Sequence, residues 1–208
     1  MSLNFFWVIM HLLIITGFLG SGKTTLLLRL AELAQKQEKK VAILVNEVGE
    51  IGIDNQIMKQ LGFNVSELLG GCICCSLAGD VIGTLERVQK KYQPDFVLLE
   101  PSGAADPRNL MNILAAYKGI PFKSLIKAAI IDSVRLDMLM KVISPLIITT
   151  MEQADLILIN KADEASSKEL DKAYNIALKY MPSNKIFKIC AHDEIEPDII
   201  RELLPWIV

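Results

Sequence analysis

Short runs of Val, Ile and Leu recur along the chain and alternate with longer stretches whose apolar residues fall three and four apart. Continuous apolar runs suit strands covered on both faces, and the stretches between them have the period of the helices that do the covering. The runs predict strands near Leu12 to Thr16, Val41 to Asn46, Asn64 to Leu68, Phe96 to Glu100, Ala128 to Asp132, Leu156 to Asn160 and Lys185 to Ile189. Helices are expected in most of the gaps, most clearly over Lys23 to Gln37, Ala78 to Tyr92, Arg108 to Tyr117, Ser166 to Tyr180 and, more briefly, Glu196 to Leu204. The fold expected is α/β, a mostly parallel sheet of about seven strands with helices on both faces. No Gly/Ser-rich or Pro-rich linker interrupts it.

Composition adds limits rather than detail. With 51% hydrophobic and 22% charged residues the chain is far from a disordered composition. A formal charge of −2 supplies no positive excess for a nucleic-acid backbone or an anionic membrane, so neither is expected as a partner. The most apolar stretch, Phe5 to Ile15, contains His11 and is much shorter than the roughly 20 residues that span a bilayer. It has no basic start and no small-residue cleavage site, so a cytoplasmic protein is expected. Met10-His11-Leu12-Leu13-Ile14-Ile15 makes a complete first strand, which leaves residues 1–9 as an extension and 10–208 as one domain.

The first predicted strand runs straight into Gly17-Phe18-Leu19-Gly20-Ser21-Gly22-Lys23-Thr24, and a helix opens at Lys23. That spacing in that context is the Walker A pattern of a P-loop nucleotide-binding fold, in which backbone N–H groups at a positive helix end face phosphates. Gly20, Ser21, Gly22, Lys23, Thr24 and Thr25 are the expected phosphate contacts, with Lys23 on the β and γ phosphates and the Thr24 hydroxyl on Mg²⁺. Glu100 ends another apolar strand, where a carboxylate can meet the magnesium side or orient the attacking water. Gly103, after Pro101-Ser102, can offer its N–H to the γ phosphate.

Asn160-Lys161-Ala162-Asp163 ends the sixth predicted strand with the NKxD pattern. A carboxylate at Asp163 can accept from the N1–H and exocyclic amine of guanine, where adenine offers no donors, so GTP and GDP are expected over the adenine nucleotides. Lys161 would lie across the ring, Asn160 would tie the base loop to the phosphate loop, and Ala191 would offer a backbone N–H to the guanine oxygen.

Three of the four cysteines cluster in Gly70-Gly71-Cys72-Ile73-Cys74-Cys75. Cys72, Cys74 and Cys75 supply three thiolates where a closed zinc site takes four ligands; water, Glu47, Glu50 or a partner residue would be the fourth. Zn²⁺ is the expected ion, with Co²⁺ or Ni²⁺ as alternatives, and inert buried thiols or a redox pair are the competing readings. Cys190 is expected in the core.

Together these residues resemble the CobW-type GTPases, relatives of the nickel-insertion GTPases HypB and UreG. The resemblance rests on GFLGSGKTTLL at Gly17 to Leu27, NEVGEIGID at Asn46 to Asp54, GGCICC at Gly70 to Cys75, EPSGAADP at Glu100 to Pro107, and NKAD at Asn160 to Asp163. It implies a GTPase whose Gly49 to Asp54 segment senses the γ phosphate, bringing Asp54 or Glu50 towards Mg²⁺ or the attacking water, so that Lys23, Asp54 and Glu100 form the catalytic set. It also implies nucleotide-dependent pairing of two copies and delivery of a metal or metallocofactor to a client metalloprotein or corrinoid protein. Relatives usually carry a second, often His-rich domain; with only His11 and His192, this chain is expected to be a fragment or a short form that acts on another protein. Two other functions compete: a metal-delivery protein in which nucleotide only gates the ion, and an ATP-dependent small-molecule kinase.

Overall fold

Alternate residues of a strand face opposite sides of a sheet, so each apolar run needs cover on two faces. The computed structural model, which describes residues 10–45, 64–67, 78–115, 117–118, 121–205 and 207, supplies that cover with helices on both. In chain order the elements are β1 (His11–Thr16), α1 (Lys23–Lys36), β2 (Val41–Val45), β3 (Asn64–Glu67), α2 (Ala78–Tyr92), β4 (Phe96–Glu100), α3 (Pro107–Ala115), β5 (Ser124–Asp132), α4 (Leu136–Val142), α5 (Ser144–Glu152), β6 (Leu156–Asn160), α6 (Ser167–Ala177), a 3₁₀ turn at Ser183–Lys185, β7 (Ile186–Lys188) and α7 (Pro197–Leu203). The seven strands are ordered β3-β2-β4-β1-β5-β6-β7, and every pair is parallel.

On one face Leu13, Ile15, Ile43, Leu98, Ile130 and Leu158 pack with Leu26, Leu27 and Leu30 of α1 and Ile199, Ile200 and Leu203 of α7. The residues between them point the other way. Leu12, Ile14, Leu44, Val97 and Leu99 pack with α2 and α3, while Ala129, Ile131, Ile157 and Ile159 pack with α4, α5 and α6. Fully burying one Leu or Ile side chain is worth about 1.5–3 kcal/mol, so these two layers hold the strand ends in fixed register.

Five elements differ clearly from the pattern-based expectation. β5 begins at Ser124, four residues ahead of the expected start: residues 124–127 are only half buried and mix polar and apolar side chains, yet they pair with β1 from His11 onward. α3 and α6 end earlier than their periodic patterns, and Ser166 is the cap of α6 rather than its first turn, closed by reciprocal bonds with Glu169. α4 and α5 fill the gap between β5 and β6, separated by Ile143 alone. Neither shows in the pattern, since α4 has seven residues and α5 is apolar nearly all round and rich in β-branched residues.

Candidate functional site

β1 lies between β4 and β5, where the chain's crossovers turn from one half of the sheet to the other. In open parallel sheets that switch point opens a crevice at the carboxyl ends of the strands. The loop from Gly17 to Gly22 leaves β1 there and enters α1 at Lys23. Around it lie the ends of the neighbouring strands, Glu100 on β4, Asp132 on β5 and Asn160 on β6. Two glycines make the close packing possible. Gly22 has φ of 98°, and a Cβ there would overlap the Asn160 side-chain nitrogen. Gly103 lies so near the loop that a Cβ would meet the Leu19 nitrogen at 2.8 Å and Lys23 Nζ at 3.1 Å.

Lys23 and Glu100 are both buried, and Lys23 Nζ stands 3.5 Å from Glu100 Oε1 and 3.5 Å from the Phe18 carbonyl. The Thr24 hydroxyl donates to Glu100 Oε2 at 2.9 Å. One carboxylate thus holds both the Lys23 ammonium and the Thr24 hydroxyl, the two side chains expected to meet phosphate and a cation. An ammonium held by a single carboxylate is able to exchange it for another anion, and hard oxygen donors such as Thr24 and Glu100 suit Mg²⁺.

A cleft of about 380 Å³ continues from this cluster to the loops that follow β6 and β7. Its lining includes Gly20, Gly22, Lys23, Thr24, Thr25 and Glu100 at one end and Asn160, Lys161, Asp163, Cys190, Ala191 and His192 at the other. The two ends are tied by Asn160, whose side-chain N–H donates to the Ser21 carbonyl at 2.7 Å while its oxygen accepts from the Ala191 N–H at 2.9 Å. Lys161 adopts a left-handed φ of 62°, which costs a residue with a side chain roughly 1–2 kcal/mol and needs support from its surroundings. Ser133 and Asp132 supply it. The Ser133 hydroxyl donates to the Asn160 carbonyl at 2.6 Å, and Lys161 Nζ pairs with the fully buried Asp132 carboxylate at 2.8 Å. Burial opposes charge on Asp132, yet the bonds from Lys161 and Arg135 prevail and hold its carboxyl below the usual range.

Most of the expected nucleotide contacts therefore share one cleft. Ser21 differs in being buried beneath the loop, where its carbonyl serves Asn160, and Gly103 stands against the loop rather than in the cleft lining. Cys190 is not a core residue: it lies half buried beyond the end of β7 and lines the cleft, since β7 stops at Lys188 and the chain turns out over the base loop. Its thiol is pushed up by burial and further by the neighbouring Asp163 and Asp193. Glu47, Glu50, Asp54, Cys72, Cys74 and Cys75 lie outside the described residues. Ser133, Asp132 and Arg135 belong to none of the sequence motifs; the signal for Asp132 is that it ends its strand directly beside Asn160.

A larger groove of about 560 Å³ lies between α1 and α7, lined by residues such as Leu33, Ile195, Ile200 and Ile207. It is lined by the carboxylates of Glu32, Asp193 and Glu194 and by no glycine, so the smaller cleft, where the glycine loop enters α1, is the better candidate for an anionic ligand. Among the described residues no cluster of three or more His, Cys, Asp or Glu could hold a metal ion, and no helix is long and apolar enough to cross a membrane.

Residues 11–188 match the family model described as CobW/HypB/UreG, nucleotide-binding domain. The zinc chaperone YeiR of Escherichia coli is 42% identical over 104 residues, which cover 50% of this chain and 31% of that protein. The zinc-regulated GTPase metalloprotein activator 1 of Schizosaccharomyces pombe is 32% identical over 202 residues, covering 92% of this chain and 47% of that protein. The chain spans half or less of the length of these curated relatives. Its fold is shared with the Zn(II)-bound YjiA GTPase of E. coli, at a TM-score of 0.65 and 21% identity over 95% of this chain and 63% of that one. It is shared also with the hydrogenase maturation factor HypB of Archaeoglobus fulgidus, at a TM-score of 0.61 and 20% identity over 95% of this chain and 87% of that one. With the glycine loop, the NKAD loop and the switch-point cleft in one parallel sheet, and a family match over most of its length, this chain belongs to the CobW/HypB/UreG nucleotide-binding domain family.

Proposed function

We propose that the chain binds and hydrolyses GTP to GDP and phosphate, and that nucleotide state times the passage of a transition metal to a client protein. The observation that carries the first half is the continuity of the cleft from Lys23 and Thr24 to Asp163 and Ala191, tied by the Asn160 side chain. Backbone N–H groups of Gly20 to Thr25 and the Lys23 ammonium receive the phosphates, Lys23 exchanging its contact with Glu100 for phosphate oxygens. Asp163 accepts from guanine, the Lys161 stem lies along the base, and the Ala191 N–H faces the base oxygen. Thr24 and Glu100, with Asp54, are the groups that would hold Mg²⁺; when bound, the ion offsets phosphate charge. Glu100 and Asp54 orient the attacking water, and the Gly103 N–H meets the γ phosphate.

The second half rests on Cys72, Cys74 and Cys75, whose thiolates suit Zn²⁺, with Co²⁺ or Ni²⁺ as alternatives and Glu47 or Glu50 as a further ligand. It also rests on the relatives named zinc chaperone and zinc-regulated GTPase metalloprotein activator. In this reading residues 10–208 act as one domain in the cytoplasm, pair with a second copy when GTP is bound, and serve a metalloprotein or corrinoid-protein client.

Phosphate release from GTP and from ATP tests the enzyme reading. GTP turnover that disappears in Lys23→Ala, with GTP preference lost in Asp163→Ala, is expected; equal turnover of ATP and GTP by the unmodified chain would refute it. For the metal, one Zn²⁺ per chain under reducing conditions, lost in a Cys72→Ala/Cys74→Ala/Cys75→Ala variant and altered by a non-hydrolysable GTP analogue, is the expected result. No Zn²⁺, Co²⁺ or Ni²⁺ binding in either nucleotide state would remove the delivery role.

A further inference from the structure

Asp132 ends β5 beside Asn160 at the end of β6, and its carboxylate has no solvent exposure. Four donors converge on it. The backbone N–H groups of Val134 and Arg135 reach Oδ1 at 3.1 Å each, while Arg135 Nε at 2.7 Å and Lys161 Nζ at 2.8 Å reach Oδ2. The two N–H groups already close the turn after β5, so a purely local role would need nothing more. The two side-chain cations instead lead outward to opposite ends of the nucleotide cleft. Arg135 sends Nη2 to the Leu19 carbonyl of the phosphate loop at 2.7 Å. Lys161 is the left-handed residue of the loop after β6 and lines the cleft, so a side chain of the cleft wall is anchored on Asp132.

We propose that Asp132 is a positioning residue for guanine-nucleotide binding, setting Lys161 in the base loop with one arm and, through Arg135, the phosphate loop with the other. This rests on the guanine reading of the cleft. A buried carboxylate is costly without partners, and each partner here is fixed in direction by it: Arg135 by a planar guanidinium shared between Asp132 and Leu19, Lys161 by a point charge on a flexible stem. With Asp132 in place the base and phosphate loops are set before nucleotide arrives, which lowers the ordering cost of binding. Without its charge, Lys161 gains rotational freedom and its strained backbone loses support, so Asp163 two residues on no longer has one position.

The test is the affinity for GDP and for ADP, measured by calorimetry on the unmodified chain and on Asp132→Asn, Arg135→Met, Lys161→Met and the Asp132→Asn/Lys161→Met double variant. Asp132→Asn keeps the size of the side chain and an acceptor for the turn. Its GDP affinity is expected to fall by about tenfold or more, the worth of a buried charged hydrogen bond, and its ADP affinity by less, so that the preference for GDP shrinks. Arg135→Met is expected to weaken GDP and ADP by the same factor, because that arm reaches only the phosphate loop. Lys161→Met is expected to lower the preference, and the double variant to bind within about twofold of Asp132→Asn, because the two residues act as a unit.

A folded Asp132→Asn with an unchanged GDP-to-ADP preference would overturn the inference, and so would a loss that is equal for both nucleotides. Should Asp132→Asn fail to fold, the single-arm variants decide: Arg135→Met that leaves both affinities intact, or Lys161→Met that leaves the preference intact, would overturn it. An unmodified chain that binds ADP as well as GDP would instead refute the guanine reading and this inference with it, whereas a preference that survives in Asp132→Asn refutes the inference alone.

Discussion

The substitution Asn160→Asp alters the junction between the phosphate and base loops while leaving its shape nearly intact. Asn160 is buried, donates to the Ser21 carbonyl at 2.7 Å and accepts from the Ala191 N–H at 2.9 Å. A carboxylate keeps the acceptor facing Ala191 but places a second oxygen against the Ser21 carbonyl, where a donor had been. One buried hydrogen bond worth about 1 kcal/mol disappears, and a buried carbonyl left unpaired beside a carboxylate costs about 1–3 kcal/mol more, so a loss of about 2–4 kcal/mol is expected near pH 8. The sign of the pH effect separates this account from a general loss of packing. Once protonated, the introduced carboxyl can donate to Ser21, so the folded state of the variant holds that proton more tightly than the unfolded chain does. The penalty is therefore smallest at low pH and grows as pH rises through the raised folded value. Urea unfolding of both proteins at pH 5 and pH 8, compared at equal m, reads the difference directly. A loss below about 0.5 kcal/mol at pH 8, or the same loss at both pH values, would refute the reasoning.

Gly22→Ala forces a Cβ into the Asn160 side-chain nitrogen on a backbone with φ of 98°, so it should destabilise by about 2 kcal/mol or more and abolish GDP binding in calorimetry. Burial, and next the Lys123 charge, lower the His11 imidazole to about 4 against the opposing pull of Asp95. The folded state thus keeps His11 neutral where the unfolded chain takes up a proton. Stability should rise with pH between about 4 and 6.5 from this residue, and His11→Asn should flatten that limb in urea midpoints measured across the window.

Legibility in the sequence follows the range of the interactions. β4, β6 and α2 coincide with their patterns residue for residue, because a buried strand or an amphipathic helix writes its own burial into consecutive positions. The glycine loop and NKAD are equally readable, since each demands particular residue types at fixed spacing. What escapes is held by contacts between distant segments. Arg135 meets Leu19 across 116 positions, and the Lys161 pair with Asp132 has no local signature. The half-buried start of β5 is hidden for a related reason: its pairing with β1 decides its conformation, while its own residues mix polar and apolar side chains. Cys190 departs from its expected core position because a strand ending two residues earlier turns an inward position into a loop position at the cleft.

In the proposed function one cleft takes phosphates on the glycine loop and guanine on Asp163. A crystal structure of the chain with GDP and Mg²⁺ tests it most directly. Phosphates on the backbone N–H groups of Gly20 to Thr25, the guanine N1–H and amine on the Asp163 carboxylate, and the base against the Lys161 stem are the expected result. GDP bound elsewhere, or a base turned away from Asp163 at full occupancy, would contradict it.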